Sequence, residues 1–215
     1  METNGIKHLE HYFYSDFHTN GKFDFPIVKK QMIDLSELKL IRYSSTKSKE
    51  TTDRDATIHF FEYDDRYDEI WKSPDSYMDK LRQYKQLMTP DFSMYSNIAL
   101  ALQIFNTFRT RWLGAYWQRN GLTVIPTVSW SDEWSYEFCF DGIEPGSVVA
   151  LSTMGCMDVK NQFMTGYIEM CKAIDPKLII CYAKPFEEMG NYADVIEVPY
   201  QRNVRIAHAI ERNED

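Results

Sequence analysis

Ser147–Tyr182 reads SVVALSTMGCMDVKNQFMTGYIEMCKAIDPKLIICY. Its two ends, Ser147–Ser152 and Lys177–Tyr182, are apolar runs too continuous for a sheet with one wet face, so each predicts a strand buried on both sides. Between them Met157–Ile174 has helical spacing, and Pro176 follows closely as a stop. Strand, helix, strand in this order is a parallel βαβ unit, whose crossover is right-handed almost without exception.

Working outward, the same alternation fills the chain. Leu38–Tyr43, Thr57–Tyr63, Gln86–Thr89, Leu122–Val128 and Val195–Pro199 read as further strands, with Pro26–Lys29 as an eighth if it counts. Helical spacing recurs over Arg66–Tyr84, Ser96–Arg119, Glu133–Phe140 and Val204–Arg212, and Asn120-Gly121 supplies a C-terminal stop to the second. The fold class is therefore α/β, and the strand count points to a TIM-like (β/α) barrel. Such barrels typically use about 250 residues, so with 215 residues this one is lean or incomplete in its first half. Only the polar stretch Ser44–Ala56 separates the Leu38 and Thr57 strands, and a hairpin there would break parallel order. The alternative is an open doubly wound parallel sheet. Residues 1–25, rich in His and aromatics, read as an N-terminal arm packing on a single α/β domain, 26–215. His8, His11, Asp16 and His18 carry metal-ligating groups, but on a chain end without Cys they read as surface packing, and no metal or cofactor is expected.

Composition narrows the class. The chain is 44% hydrophobic and 26% charged, which suits a folded globular protein, and its net charge of −8 repels polyphosphate, so bulk nucleic acid is not an expected partner. The four cysteines, Cys139, Cys156, Cys171 and Cys181, form no C-x-x-C pair, and no run approaches the roughly 18 apolar residues of a spanning helix. Free thiols, no membrane and a cytoplasmic location are the expectation.

From about Asp24 to Pro199 the chain resembles the family catalogued as domain of unknown function 4417, found in phages, plasmids and other mobile elements. The resemblance rests on FPIVKK (25–30), LMTPDFSMY (87–95), ALQIFNTFRTRWLGAYWQ (101–118), GLTVIPTVSWSDEWSYEFCFDGI (121–143) and GSVVALSTMGC (146–156), with Phe105 and Phe108 where relatives often carry other aromatics. It implies a phage or mobile-element protein and attaches no activity. At the level of fold alone, the order of a PD-plus-serine strand end, a polar turn after a later strand and a small-residue loop before a helix is similar to tRNA-guanine transglycosylase-like barrels. No diagnostic motif accompanies that likeness.

In parallel α/β folds ligands bind beyond the carboxyl ends of the strands. Residues leaving the strands are Ser44 and Ser45; Asp64 and Asp65; Asp91, Ser93 and Tyr95; Ser129, Trp130, Ser131 and Asp132; Ser152, Thr153 and Gly155; Tyr182 and Lys184; and Gln201 with Arg202. Pro90 fixes the direction in which Asp91 leaves its strand, so Asp91 is a candidate nucleophile or general base, with Asp132 as the second acid. Both also read as helix starts, and Ser93 as a cap of the long helix. Ser152-Thr153-Met154-Gly155 offers small residues for an anion at a helix N-terminus, against a plain turn. Neither phosphate-binding nor dinucleotide-binding glycine motifs occur. On the helical period Arg109 shares a stripe with Leu102, Phe105, Trp112 and Tyr116 and reads as a buried, paired arginine about 20 Å from the mouth. Arg111 points elsewhere and reads as free, while Trp112, Tyr116 and Trp117 read as core or dimer face.

The functional expectation is a small nucleotide- or nucleobase-like ligand at the barrel mouth, with Asp91 and Asp132 for acid/base work. Asp64, Ser93, Ser129, Trp130, Ser152, Thr153, Gly155, Tyr182 and Lys184 line it. The alternative is a non-catalytic interaction protein, binding a host protein or sequestering a signalling nucleotide, with homo-oligomerisation through exposed aromatics.

Overall fold

The computed structural model describes residues 16–47 and 53–200. The expected helix Val204–Arg212, the rim residues Gln201 and Arg202, and His8 and His11 lie outside the described residues. A short antiparallel pair, β1 (Thr19–Asn20) and β2 (Phe25–Pro26), opens the described chain. Seven strands follow, all paired in parallel with their neighbours. They are β3 (Leu40–Arg42), β4 (Thr57–His59), β5 (Gln86–Met88), β6 (Val124–Ile125), β7 (Val148–Ser152), β8 (Leu178–Tyr182) and β9 (Val195–Val198).

The strands lie in sequence order, β3-β4-β5-β6 in one sheet and β7-β8-β9 in another. A single parallel bridge, Thr127 to Ala150, joins the two. It is held by Val128 N–H to the Ala150 carbonyl at 2.8 Å and Ala150 N–H to the Pro126 carbonyl at 2.9 Å. No hairpin separates β3 from β4, so parallel order holds across the polar stretch between them. No sheet is closed: among the described residues no ladder links β3 to β9. The eighth strand expected at Pro26–Lys29 is not a member of either sheet. Pro26 pairs with β1, and only Val28 bridges onward, to Ile143.

Period-two alternation sorts the strands' side chains onto two faces. Leu40, Phe61, Met88, Ile125, Val148, Ala150, Ile180, Tyr182 and Val198 gather in one cluster, so the same face of the first strand and of the last shares a core. On the other face Ile58, Phe60, Leu87 and Val124 pack with Trp71, Trp112 and Trp117. Val149, Leu151, Ile179 and Cys181 pack with Phe163, Tyr167, Met170 and Ile174. Burial on both faces is what the unbroken apolar runs required.

The helices are α1 (Asp68–Lys72), α2 (Met78–Leu81), α3 (Leu100–Arg119) and α4 (Lys160–Ile174). The single helix expected over Arg66–Tyr84 is broken by Pro74, which starts a 3₁₀ turn between α1 and α2. Glu133–Phe140 forms only the 3₁₀ turn Glu133–Glu137. Helix α3 begins at Leu100 instead of Ser96, and its buried face is unusually polar, carrying Gln103, Asn106, Thr107, Thr110 and Arg111. The Thr107 and Thr110 hydroxyls satisfy themselves on carbonyls one turn back, each at 3.0 Å. Leu102 is exposed, so the expected apolar stripe does not face the core along its whole length. No helix among the described residues is long and apolar enough to cross a membrane.

Candidate functional site

The carboxyl ends of β4 to β7 bring Asp64, Asp91, Ser93, Ser129 and Cys156 together. Asp64 is the richly bonded member. Its carboxylate accepts from Ser93 Oγ at 2.9 Å, from Ser93 N–H at 3.2 Å and from Tyr67 O–H at 3.1 Å. The Tyr67 hydroxyl also reaches the Asp91 carbonyl at 2.6 Å. Asn106 and Thr110 of α3 clamp the same segment, Asn106 Nδ2 donating to the Ser93 carbonyl at 2.6 Å and Thr110 Oγ1 to the Pro90 carbonyl at 3.0 Å. The polar face of α3 thus has a purpose: it fixes the strand-end loop that carries Asp91.

Asp91 is the withdrawn member. Burial pushes its carboxyl up to about 7; the Ser129 hydroxyl bonded to it pulls back, and the charge of Asp64 pushes further up. The Cys156 thiol lies close enough to feel the same charge, and burial first, Asp91 second, raise it. A raised thiol stays protonated at neutral pH and is a poor nucleophile. A carboxyl poised near neutrality beside a hydroxyl is suited to give and take a proton.

The second acid beside Asp91 is Asp64, not Asp132. Asp132 begins the 3₁₀ turn with no side-chain capping bond, and its charge bears on Tyr136. Ser93 does not cap α3, whose N-cap is Ala99. Trp130, half-buried, packs on Phe140 and Phe163 and lies flush against Gly166, where any added methyl would collide with its ring. The Ser152–Gly155 loop is closed on itself. Thr153 is buried, with its hydroxyl donated to the Lys184 carbonyl at 2.8 Å, and the Met154 N–H is taken by Ser152 Oγ. Gly155, at φ +78°, makes the turn; the anion cradle expected there loses its donors to the loop. Lys184 lines a groove of about 370 Å³ with Phe186 and Glu197. A second groove, about 480 Å³, runs between Phe17, Lys29, Gln118 and Arg119.

Arg109 is paired as expected, Nη1 to Asp68 at 3.1 Å and Nη2 to Asn106 Oδ1, with its guanidinium 3.6 Å above the Phe92 ring. It also feels Asp64, so it sits beside the acid cluster and not at the far end of the fold. Arg111 is not free. It is buried, and its guanidinium donates to three carbonyls: Cys139 at 2.7 Å, Asp141 at 2.8 Å and Thr127 at 3.1 Å. Burial lowers it to about 10, which still leaves it charged at neutral pH. Gly142, at φ +74°, lets the chain pass over it, since a Cβ there would stand 2.8 Å from Arg111 Cγ and 2.9 Å from the Pro26 carbonyl.

Sequence reasoning missed Tyr67 and Cys156 beside Asp91, and it missed a second group on the shared inner face. Arg42 and His59 stand opposite each other in the β3–β4 register. The His59 ring lies 4.7 Å from that of Tyr182, which stacks on Phe61 at 5.2 Å and meets Tyr200 edge-on at 5.9 Å. Burial first and the charge of Arg42 second lower His59 to about 3, so it is neutral. Tyr182, expected at the mouth as a ligand contact, is fully buried in this layer. The available signal was a charged and a titratable residue at inward positions of otherwise apolar strands.

The family model described as Domain of unknown function (DUF4417) matches residues 17–199. The chain is 41% identical over 130 residues to the Gene 1 protein of Mycobacterium phage L5, covering 59% of this chain and 57% of that one. It is 36% identical, again over 130 residues, to the Gene 1 protein of Mycobacterium phage D29, covering 48% of that relative. The match thus spans about half the length of these curated relatives. No solved structure matches the chain. The four cysteines are free.

Proposed function

Starting from a chain that belongs to the family described as a domain of unknown function (DUF4417), we propose that its parallel strands form an incomplete (β/α) barrel whose C-terminal rim binds a small nucleotide- or nucleobase-like ligand. Asp91 is the acid/base group, with Asp64, Ser93 and Ser129 around it. The observation that carries this reading is the meeting of Asp64, Asp91, Ser93 and Ser129 from three successive strand ends about one withdrawn carboxyl. Strands in sequence order with a shared inner core support the barrel. A nucleobase edge alternates donors and acceptors, and a carboxyl half-protonated near neutrality beside a hydroxyl is its complement.

Native mass spectrometry of protein purified from cells tests the reading by looking for a bound small molecule. Asp91→Asn should lose that molecule, and any turnover of it, while keeping or raising its thermal midpoint at neutral pH. A large stability loss with no ligand in either protein would mean that Asp91 only shapes the loop.

A second reading, a non-catalytic interaction protein, is supported by the same face seen from outside. Tyr63, Tyr95, Trp134, Met154, Met157 and Tyr200 are all exposed on segments that leave strand ends, an apolar rim of the kind that marks docking surfaces. Its occupant is a host protein, or a signalling nucleotide held without reaction. A ligand released chemically unchanged, together with a protein partner lost on Trp134→Ala, separates this reading from the first.

A further inference from the structure

Buried polar groups in folded proteins are almost always hydrogen-bonded, and an orphaned donor costs its full desolvation. One such orphan stands on the inner face at the strand-end side of β3 and β4, beside an arginine that reaches the surface only at its edge. His59 is fully buried, and its Nδ1 accepts the Phe61 N–H at 3.3 Å, which leaves the ring proton of the neutral imidazole on Nε2. Nε2 has no partner. Arg42, beside it in register, is 8% exposed. Among the described residues its guanidinium lies 5.9 Å from the centre of the Tyr200 ring and makes no hydrogen bond or ion pair. Buried Arg111 has three carbonyls, and half-buried Arg109 has a carboxylate and an amide oxygen at its two terminal nitrogens, with only its Nε unpartnered.

An acceptor with several oxygens and negative charge would satisfy both donors at once. We infer that Arg42 and the Nε2–H of His59 form an oxyanion subsite, made for the phosphate group of a ligand, at the seam where β3 faces β9 without a ladder between them. Guanidinium offers a planar fork that matches two phosphate oxygens, and the imidazole N–H supplies a third donor. Tyr200, 49% exposed just beyond β9, stands at the entrance, and the rings of Phe61 and Tyr182 wall the inner side. In a protein of net charge −8 such a site attracts an anion only through local donors, which makes binding dependent on these two side chains. The inference rests on the strand-end reading above and supplies the anionic part of that ligand.

Calorimetric titration of the full chain with inorganic phosphate, AMP, adenosine and acetate tests it. Phosphate and AMP are expected to bind, acetate and adenosine far more weakly. Arg42→Leu and His59→Phe should each weaken AMP at least about tenfold, the scale of one lost charge-assisted bond. Without ligand, both variants should keep or raise the thermal midpoint, because His59→Phe removes an orphaned donor and Arg42→Leu removes a cation with no ion pair. Arg42→Lys and His59→Gln retain a donor and should lose less affinity. Equal phosphate binding in wild type and Arg42→Leu overturns the subsite, and so does a variant that unfolds without ligand, since that donor then had an internal partner. AMP binding that needs Asp91 but not Arg42 overturns this subsite alone. Phosphate held by Arg42 with no response to Asp91→Asn, or to any nucleoside, overturns the nucleobase reading alone.

Discussion

Arg111, buried, and Asp91, half-buried, are ionisable groups on neighbouring segments, and they are treated in opposite ways. Arg111 lies under Gly142 with three carbonyls arranged around its fork, so its charge is fully compensated and the group serves as a rivet between α3 and the segment Thr127–Asp141. Asp91 has one hydroxyl, Ser129, and a second carboxylate nearby, and its proton affinity rises accordingly. A compensated buried charge belongs to the scaffold, while an uncompensated one is where the proposed chemistry is to be sought. His59, with its Nε2 unpartnered, falls on the side of Asp91 by the same criterion.

Breaking the compensated charge should have the largest effect. Arg111→Met leaves three carbonyls without donors in a closed interior, and unfolding in denaturant should show a loss of about 3–5 kcal/mol, the usual cost of breaking a buried ionic group. A loss below about 1 kcal/mol would place Arg111 among ordinary surface contacts.

The uncompensated pair sharpens the comparison through pH. Asp91 titrates near 7 in the folded chain against 3.8 in the reference state, so the native state holds the extra proton and stability falls as pH rises between those values. His59 titrates near 3 against 6.5, so the unfolded chain holds the extra proton and stability rises with pH across that window. In the wild type the two oppose each other from about pH 4 to pH 6.5. Chemical denaturation across this range should give a shallow profile for the wild type. Asp91→Asn should turn it into a rise toward pH 6.5, and His59→Phe into a fall toward pH 7. Each slope should amount to roughly 4–5 kcal/mol over its full window, at about 1.4 kcal/mol per pH unit. Parallel profiles for all three proteins would mean that neither group is held away from water.

The smallest effect belongs to the clamp. Tyr67→Phe removes the hydroxyl shared by Asp64 and the Asp91 carbonyl, and should cost about 0.5–1.5 kcal/mol in stability. It should also move the Asp91 titration, because the loop is less firmly fixed. An unchanged titration would show that Ser93 and Asn106 hold the loop without it.

How far these contrasts were legible in the chain depends on their range. The strands were readable because unbroken apolar runs admit no other placement, and every one of the seven long runs became a parallel strand. The rule that sites gather at strand ends brought Asp64, Asp91, Ser93 and Ser129 into view from local position alone. Pro74 was visible and should have split the helix drawn through it. Arg111 was misread because helical spacing tells which way a side chain points and nothing about the carbonyls waiting there, 16 to 30 residues further on. The pairing of Asp91 with Asp64 instead of Asp132 is likewise a fact of three-dimensional register. It turns on how the loop after β4 folds back through Tyr67.

The most direct test is the titration of Asp91 itself, followed by the carbon chemical shift of its carboxyl in the ligand-free protein. A midpoint near 7 that rises further in Ser129→Ala is the predicted result, since the hydroxyl that holds the charged form would be gone. A midpoint near 3.8, unmoved by Ser129→Ala, would mean that the strand ends leave this carboxyl in water and that no site is built around it.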